Sequence, residues 1–209
     1  MRARGPTPAG EPSGDAVLIE RSRRYPEAFA GLYDRHAPAL HRYVARRLGD
    51  GAADDVVADT FLDAFRRRHT YDLAISDARP WLYGIAANLI GKHSRAEVRM
   101  LRAYARTGTD PLLTVRAMNG HADEADSRLS AQAVQRQLAD AIAGLTPADR
   151  EVLLLIAWAD LSYTEVAAAL RIPVGTVRSR LHRARTRVRQ ALGGRDPSAL
   201  PEERQEPAR

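Results

Sequence analysis

Apolar residues in this chain recur at the spacing of a helix face, and no segment alternates as a half-buried strand would. Phe29, Leu32, Tyr33, His36, Leu40, Tyr43, Val44 and Leu48 predict a first helix, which Gly49-Asp50-Gly51 breaks. The segment ADDVVADTFLDAFRRR predicts a second. Its Asp54, Asp55, Asp59 and Asp63 precede Arg66, Arg67 and Arg68, the charge order a helix dipole favours. Residues 69–80 carry turn formers and one tyrosine, Tyr71, and predict a loop. Pro80, a good first-turn residue, opens a third helix, which the pattern carries unbroken through WLYGIAANLIGKHSRAEVRMLRAYAR.

The pattern then fails. Gly108, Pro111, Asn119, Gly120 and the acidic stretch from His121 to Asp126 predict a linker over 107–130. Helical spacing resumes near Ala131 and runs to Leu145. Thr146-Pro147 is a start signal for the next helix, TPADREVLLLIAWAD. Residues 1–18 and 193–209 are rich in Pro, Gly and polar side chains and are expected to be disordered. The expected class is all-α: two helical domains, 19–106 and 131–192, joined by a flexible linker.

The segment LSYTEVAAALRIPVGTVRSRLHRARTRVRQAL is the most informative. Ser162 and Glu165 have capping-box spacing and open a short helix from Tyr163 to Leu170. Arg171-Ile172-Pro173 ends it, because a residue before proline is pushed out of helical geometry. A second helix follows from Val174 to Leu192. At about 100° per residue, Val174, Val177, Leu181, Ala184, Val188 and Leu192 share one face. Gly175, Thr176, Ser179, His182, Arg183, Thr186 and Gln190 lie opposite, flanked by Arg178 and Arg180. A helix-turn-helix that turns hydroxyl, imidazole and guanidinium groups outward carries the inventory of a DNA-reading helix.

Charge supports a polyanionic partner. The chain carries +6 at neutral pH with an isoelectric point near 10.1. Residues 174–192 hold six arginines and no carboxylate, and Lys92 is the only lysine. With no cysteine, disulfides, cysteine-based zinc sites and thiol redox sensing within the chain are excluded. No apolar run approaches membrane-spanning length. The N-terminal MRARGPTPAGEPSG lacks the apolar core of a signal peptide. A cytosolic protein is expected.

On these motifs the chain resembles the extracytoplasmic-function (ECF) sigma factors of the sigma-70 family, small two-domain promoter-recognition subunits of bacterial RNA polymerase. The resemblance covers roughly Glu27–Arg99 and Ala131–Leu192. ADDVVADTFLDAF is similar to the family's polymerase-binding helix, WLYGIAANL to its promoter-melting segment and IPVGTVRSRLHRAR to its −35-reading motif. The resemblance implies that Asp55, Asp59, Leu62 and Asp63 dock on the clamp helices of the largest subunit of core RNA polymerase. It implies that Tyr71, Trp81, Asn88, Lys92, Arg95 and Arg99 meet the −10 element of promoter DNA. Thr176, Arg178, Ser179, Arg180, His182 and Arg183 would meet the −35 element. An anti-sigma factor acting in trans is a further implied partner, and with no long C-terminal extension control in cis is not expected.

Other chemistry finds little support. Gly91-Lys92-His93-Ser94 fails as a phosphate loop, because Ala86 stands where its first glycine belongs and His93 follows the lysine. The six histidines show no metal-ligand spacing. No nucleophile or carboxylate cluster stands out, so a non-enzyme without metal or cofactor is expected. The alternative is a stand-alone helix-turn-helix transcriptional regulator. That class needs a receiver or ligand-binding domain, and the strand–helix alternation of a receiver is absent from the first 100 residues.

Overall fold

The computed structural model describes residues 14–107 and 125–193. Among these the chain is all helical. The helices are α1 (Asp15–Arg24), α2 (Ala30–Leu48), α3 (Asp50–Arg67), α4 (Arg79–Lys92), α5 (Ser94–Thr107), α6 (Ala125–Ala143), α7 (Pro147–Ala157), α8 (Tyr163–Leu170) and α9 (Val174–Ala191). Short 3-10 turns at Pro26–Phe29 and Arg68–Thr70 join the first elements.

The first domain is built around α4. Pro80, Leu82, Tyr83, Gly84, Ile85, Ala86, Ala87 and Ile90 are all buried, so this helix is covered on nearly every side. Helices α2, α3 and α5 pack around it. Leu32, Leu40, Val44, Val57 and Phe61 supply the facing core. The second domain packs α7 and α6 against α9, with Val152, Leu155, Val166, Val177 and Leu181 inside.

Two boundaries differ from the sequence-based expectation. The third helix is not continuous. It stops at Lys92, His93 takes a non-helical turn, and the His93 carbonyl accepts the Ala96 and Glu97 N–H groups at 2.8 and 3.0 Å to start α5. A straight helix over both segments would extend more than about 40 Å, beyond the width of a small domain. The turn instead brings α5 back onto α2. The first domain also begins earlier than expected. Asp15 to Leu18, assigned to the disordered N-terminal segment, form the first turn of α1. Helix α6 likewise starts at Ala125, within the expected linker; residues 108–124 and 194–209 lie outside the described residues.

Asp15 explains why α1 is ordered. Its buried carboxylate accepts the Ala78 N–H at 2.9 Å, at the N-terminus of α4, where helix N–H groups lack partners. The same carboxylate pairs with Arg35 and, at 2.8 Å, with His36. Arg23 completes the attachment by donating to the Arg68 and Tyr71 carbonyls at 3.3 and 3.0 Å. Burial alone would raise the Asp15 pKa. The His36 and Ala78 hydrogen bonds and the nearby positive charges outweigh it and hold the group at about 2, below its usual 3.8.

A lowered folded-state pKa stabilises the protein above the unfolded value and is lost as pH falls through the folded one. Asp15→Asn is therefore expected to cost about 1.5–3 kcal/mol at neutral pH, the range for hydrogen bonds to a charged group. The gap from the parent should narrow as pH drops from 3.8 towards about 2. Urea midpoints measured across that range check both statements.

Candidate nucleic-acid interface

The helix-turn-helix forms as its sequence predicts. The Ser162 hydroxyl accepts the Glu165 N–H at 3.3 Å, and the Glu165 carboxylate returns to the Ser162 N–H at 2.7 Å. Helix α8 ends at Arg171, whose left-handed backbone (φ 54°) makes the turn; the pre-proline restriction acts one residue later, on Ile172. In α9, Val177, Leu181 and Ala184 are buried. Arg178, Ser179, His182 and Arg183 are exposed, and Thr176 and Arg180 are half-buried at the edges. No side chain caps the N-terminus of α9, and no acid lies in its first turn. Its leading N–H groups thus remain suited to phosphate.

Arg183 differs from its neighbours. Its guanidinium donates to Asp149 at 2.8 Å. Asp149 is itself buried in the first turn of α7, where its N–H donates to the capping Thr146 hydroxyl. Burial would raise the Asp149 pKa, but the Arg183 and Thr146 hydrogen bonds hold it below the ordinary value. Arg183 is thus fixed in direction by an acid that sequence spacing did not single out. The available signal was an Asp in the first turn of α7, two helices earlier, which also reads as a dipole partner.

In the first domain, Trp81, Gly84, Ile85 and Asn88 form one stripe along α4. Asn88 is exposed and Trp81 half-buried. Tyr71 does not reach solvent as a base-stacking ring would. It is 7% exposed, its hydroxyl donates to the Ile75 carbonyl at 2.8 Å, and its ring backs Trp81 with centroids 4.8 Å apart. Its pKa is pushed up by burial and then by Asp15, Asp77 and Asp72. Tyr71 is thus buried behind Trp81 rather than open to solvent. Lys92 is exposed at the end of α4, while Arg95 and Arg99 are exposed on α5, beyond the turn. They do not share the α4 stripe.

On α3, Asp55, Asp59 and Leu62 are exposed together, and Leu62 leaves 46% of its surface open. Asp63 is half-buried and bonded to Arg67 at 2.7 Å one turn on. An exposed leucine rimmed by acids suits a partner with basic and apolar groups.

Comparison with known proteins agrees with this arrangement. Residues 32–106 match the family Sigma-70 region 2, and residues 135–188 match Sigma-70, region 4. The RNA polymerase sigma factor CarQ of Myxococcus xanthus is 33% identical over 168 residues, 80% of this chain and 90% of its own length. The ECF RNA polymerase sigma factor SigL of Mycobacterium tuberculosis is 34% identical over 77% of this chain and 86% of its own. The chain belongs to the ECF sigma factors of the sigma-70 family. It is an initiation factor that directs RNA polymerase to specific promoters. The stand-alone regulator is not favoured, because region 2 occupies the place where its sensory domain would be.

Solved structures agree on the fold. CnrH, in complex with the cytosolic domain of CnrY, superposes with a TM-score of 0.54 at 26% identity, covering 87% of this chain and 99% of that one. The sigma factor RpoE of Bartonella quintana, in complex with the anti-sigma factor NepR, gives 0.53 at 23% identity, over 79% and 96%. The latter likeness concerns the fold alone. Among the described residues no helix is long and apolar enough to cross a membrane.

Arg183→Ala is expected to lower the urea midpoint at neutral pH, because it strands the buried Asp149 charge. Since the pair lowers the Asp149 pKa, its contribution is present above the carboxylate range and lost below it. The deficit should therefore shrink on acidification. Arg178→Ala, exposed and without an ion pair among the described residues, should leave the midpoint unchanged. Equal losses for the two variants would exclude a structural role for the Arg183–Asp149 pair.

Proposed function

We propose that this sigma factor divides its work over three surfaces. The outward face of α9, with Thr176, Arg178, Ser179, Arg180 and His182, enters the major groove at the −35 element. Arg183 sits at the edge of that face, and its guanidinium is held in a fixed direction by Asp149. The observation that carries this reading is the separation of α9 into a buried Val177–Leu181–Ala184 side and an exposed polar side.

The α4 stripe takes the −10 element. Melting exposes bases that stack on aromatic rings and bond to amides. Trp81, backed by Tyr71, offers the ring, and Asn88 offers the amide. Lys92, Arg95 and Arg99, on both sides of the His93 turn, track the phosphates. The face of Asp55, Asp59, Leu62 and Asp63 docks on the clamp helices of core RNA polymerase. The protein works in the cytoplasm, as a binding factor without catalytic groups of its own. An anti-sigma factor is a natural partner, since the structural neighbour RpoE of Bartonella quintana has been solved with the anti-sigma factor NepR.

Asp55→Arg combined with Asp59→Arg should weaken binding to core polymerase while leaving helicity intact, since both side chains are exposed. Unchanged affinity of the folded double variant would move the polymerase surface elsewhere. Asn88→Ala should reduce promoter opening more than initial promoter binding. Run-off transcription and permanganate reactivity of the melted bases on polymerase holoenzyme separate the two. Parental permanganate reactivity would assign Asn88 to structure alone.

A further inference from the structure

A buried acid lies behind the exposed polar face of α9. Asp149 is in the first turn of α7, and its side chain is 3% exposed. It meets Arg183 at two points: the guanidinium donates from Nε to Oδ2 at 3.4 Å and from Nη2 to Oδ1 at 2.8 Å. The turn that carries the acid is itself held fast. The Asp149 N–H donates to the Thr146 hydroxyl, and the adjacent Arg150, also buried, donates to the Ile142, Ala143 and Leu145 carbonyls. Helix α7 packs along α9, so acid and arginine sit on elements that share a core.

The two contacts occupy one edge of the guanidinium. An arginine has five N–H groups. The Nε–H and one Nη2–H face Asp149, and the other three, on Nη1 and Nη2, make up the end fork. That fork matches the O6 and N7 acceptors of a guanine in the major groove. The pair has two further consequences. An exposed arginine loses rotamer freedom on binding, and one already fixed loses less. Its charge is also balanced by a neighbouring carboxylate, which weakens its pull on phosphate at any sequence. Arg178, exposed on the same face without an ion pair among the described residues, has neither restraint.

We propose that Asp149 is a specificity-determining positioning residue: from inside α7, without meeting DNA, it aims the Arg183 fork at one guanine of the −35 element and withholds that arginine from phosphate. The inference deepens the −35 reading proposed for α9 and rests on it. No side chain of α9 can do the same, because residues 174–192 contain no carboxylate. The base preference of the reading helix is thereby set in part by a helix two elements earlier.

The test is selection of promoters from a library randomised over the −35 element, by polymerase holoenzyme carrying the full-length factor. The parent should select guanine at one position that Arg183→Ala loses, with a preference of about 5- to 150-fold, the range for a bidentate base contact. Asp149→Ala should lower the preference at that position alone by about 2- to 12-fold, the cost of ordering one long side chain. In the Arg183→Ala background, Asp149→Ala should leave the selected sequences unchanged. Freed of its partner, Arg183 should meanwhile favour phosphate. Holoenzyme binding to duplex without a promoter should hold or strengthen, and its salt dependence should steepen by about 0.9 in log–log slope, one phosphate contact. Asp149→Asn, close to the parent in shape, carries the same test where the alanine variant does not fold, with circular dichroism verifying each.

Parental preference in a folded Asp149 variant would overturn the proposal and leave Arg183 an unaided reader. Loss at every position, persisting in the Arg183→Ala background, would also overturn it, because Asp149 would then act through the fold. A base other than guanine at the Arg183-dependent position would refute the fork geometry. If Arg178→Ala, Ser179→Ala and Arg183→Ala all leave the selected −35 sequence unchanged, α9 does not read that element, and the −35 reading falls together with the inference.

Discussion

Helix α4 is apolar around almost its whole circumference, and the molecule is arranged by the need to cover it. An amphipathic helix needs one neighbour; a helix that buries Leu82, Tyr83, Ile85, Ala86 and Ile90 needs several. Helices α2, α3 and α5 meet that need within the first domain, and α8 meets what is left over. The same helix also supplies Trp81 and Asn88 to the proposed DNA surface. A surface able to receive unstacked bases is necessarily one that another apolar element can cover. Along that stripe Gly84 and Ile85 are buried, while Trp81 is half-buried and Asn88 stays exposed.

Charge is organised in a complementary way. The exposed arginines of α9 have no carboxylate on their own helix and remain available to phosphate and base edges. The buried arginines do the opposite. Arg47 and Arg150 are enclosed with Glu97 and Glu151, so they contribute geometry between elements and nothing to the outer field. Arg183 stands between these classes: exposed at 54% of its side chain, but oriented by the buried Asp149. Net basic charge alone does not separate these three situations; burial and partner do.

Asp15 shows the same logic at a helix end. One carboxylate satisfies the first turn of α4 and pairs with Arg35 and His36 on α2. It thereby ties a segment outside the matched region 2 boundaries to the start of the helix proposed to melt DNA. Arg23 joins the same element to the loop carrying Tyr71, which in turn braces Trp81.

Much of this was legible along the chain because it is local. The capping box at Ser162, the Thr146 cap, the glycine break after Leu48 and the inward face of α9 depend on residues within a turn or two of one another. Short-range hydrogen bonds and helical phase determine them whatever surrounds them. The family likeness likewise rested on contiguous motifs. Other features depended on residues brought together from a distance. The turn at His93, the ordering of α1 by Asp15, the enclosure of Tyr71 and the fixing of Arg183 each follow from a partner remote in sequence. Nothing local marks Gly84 or Arg47; Ala169 lies against the first, and Glu151, 104 positions away, pairs with the second. By itself the sequence determined most of the helices, the inward face of α9 and the family, since periodicity and capping are properties of a single element. Tertiary structure alone decided which charges are enclosed and which helices approach backbone to backbone, since desolvation and close backbone approach exist only once two elements meet.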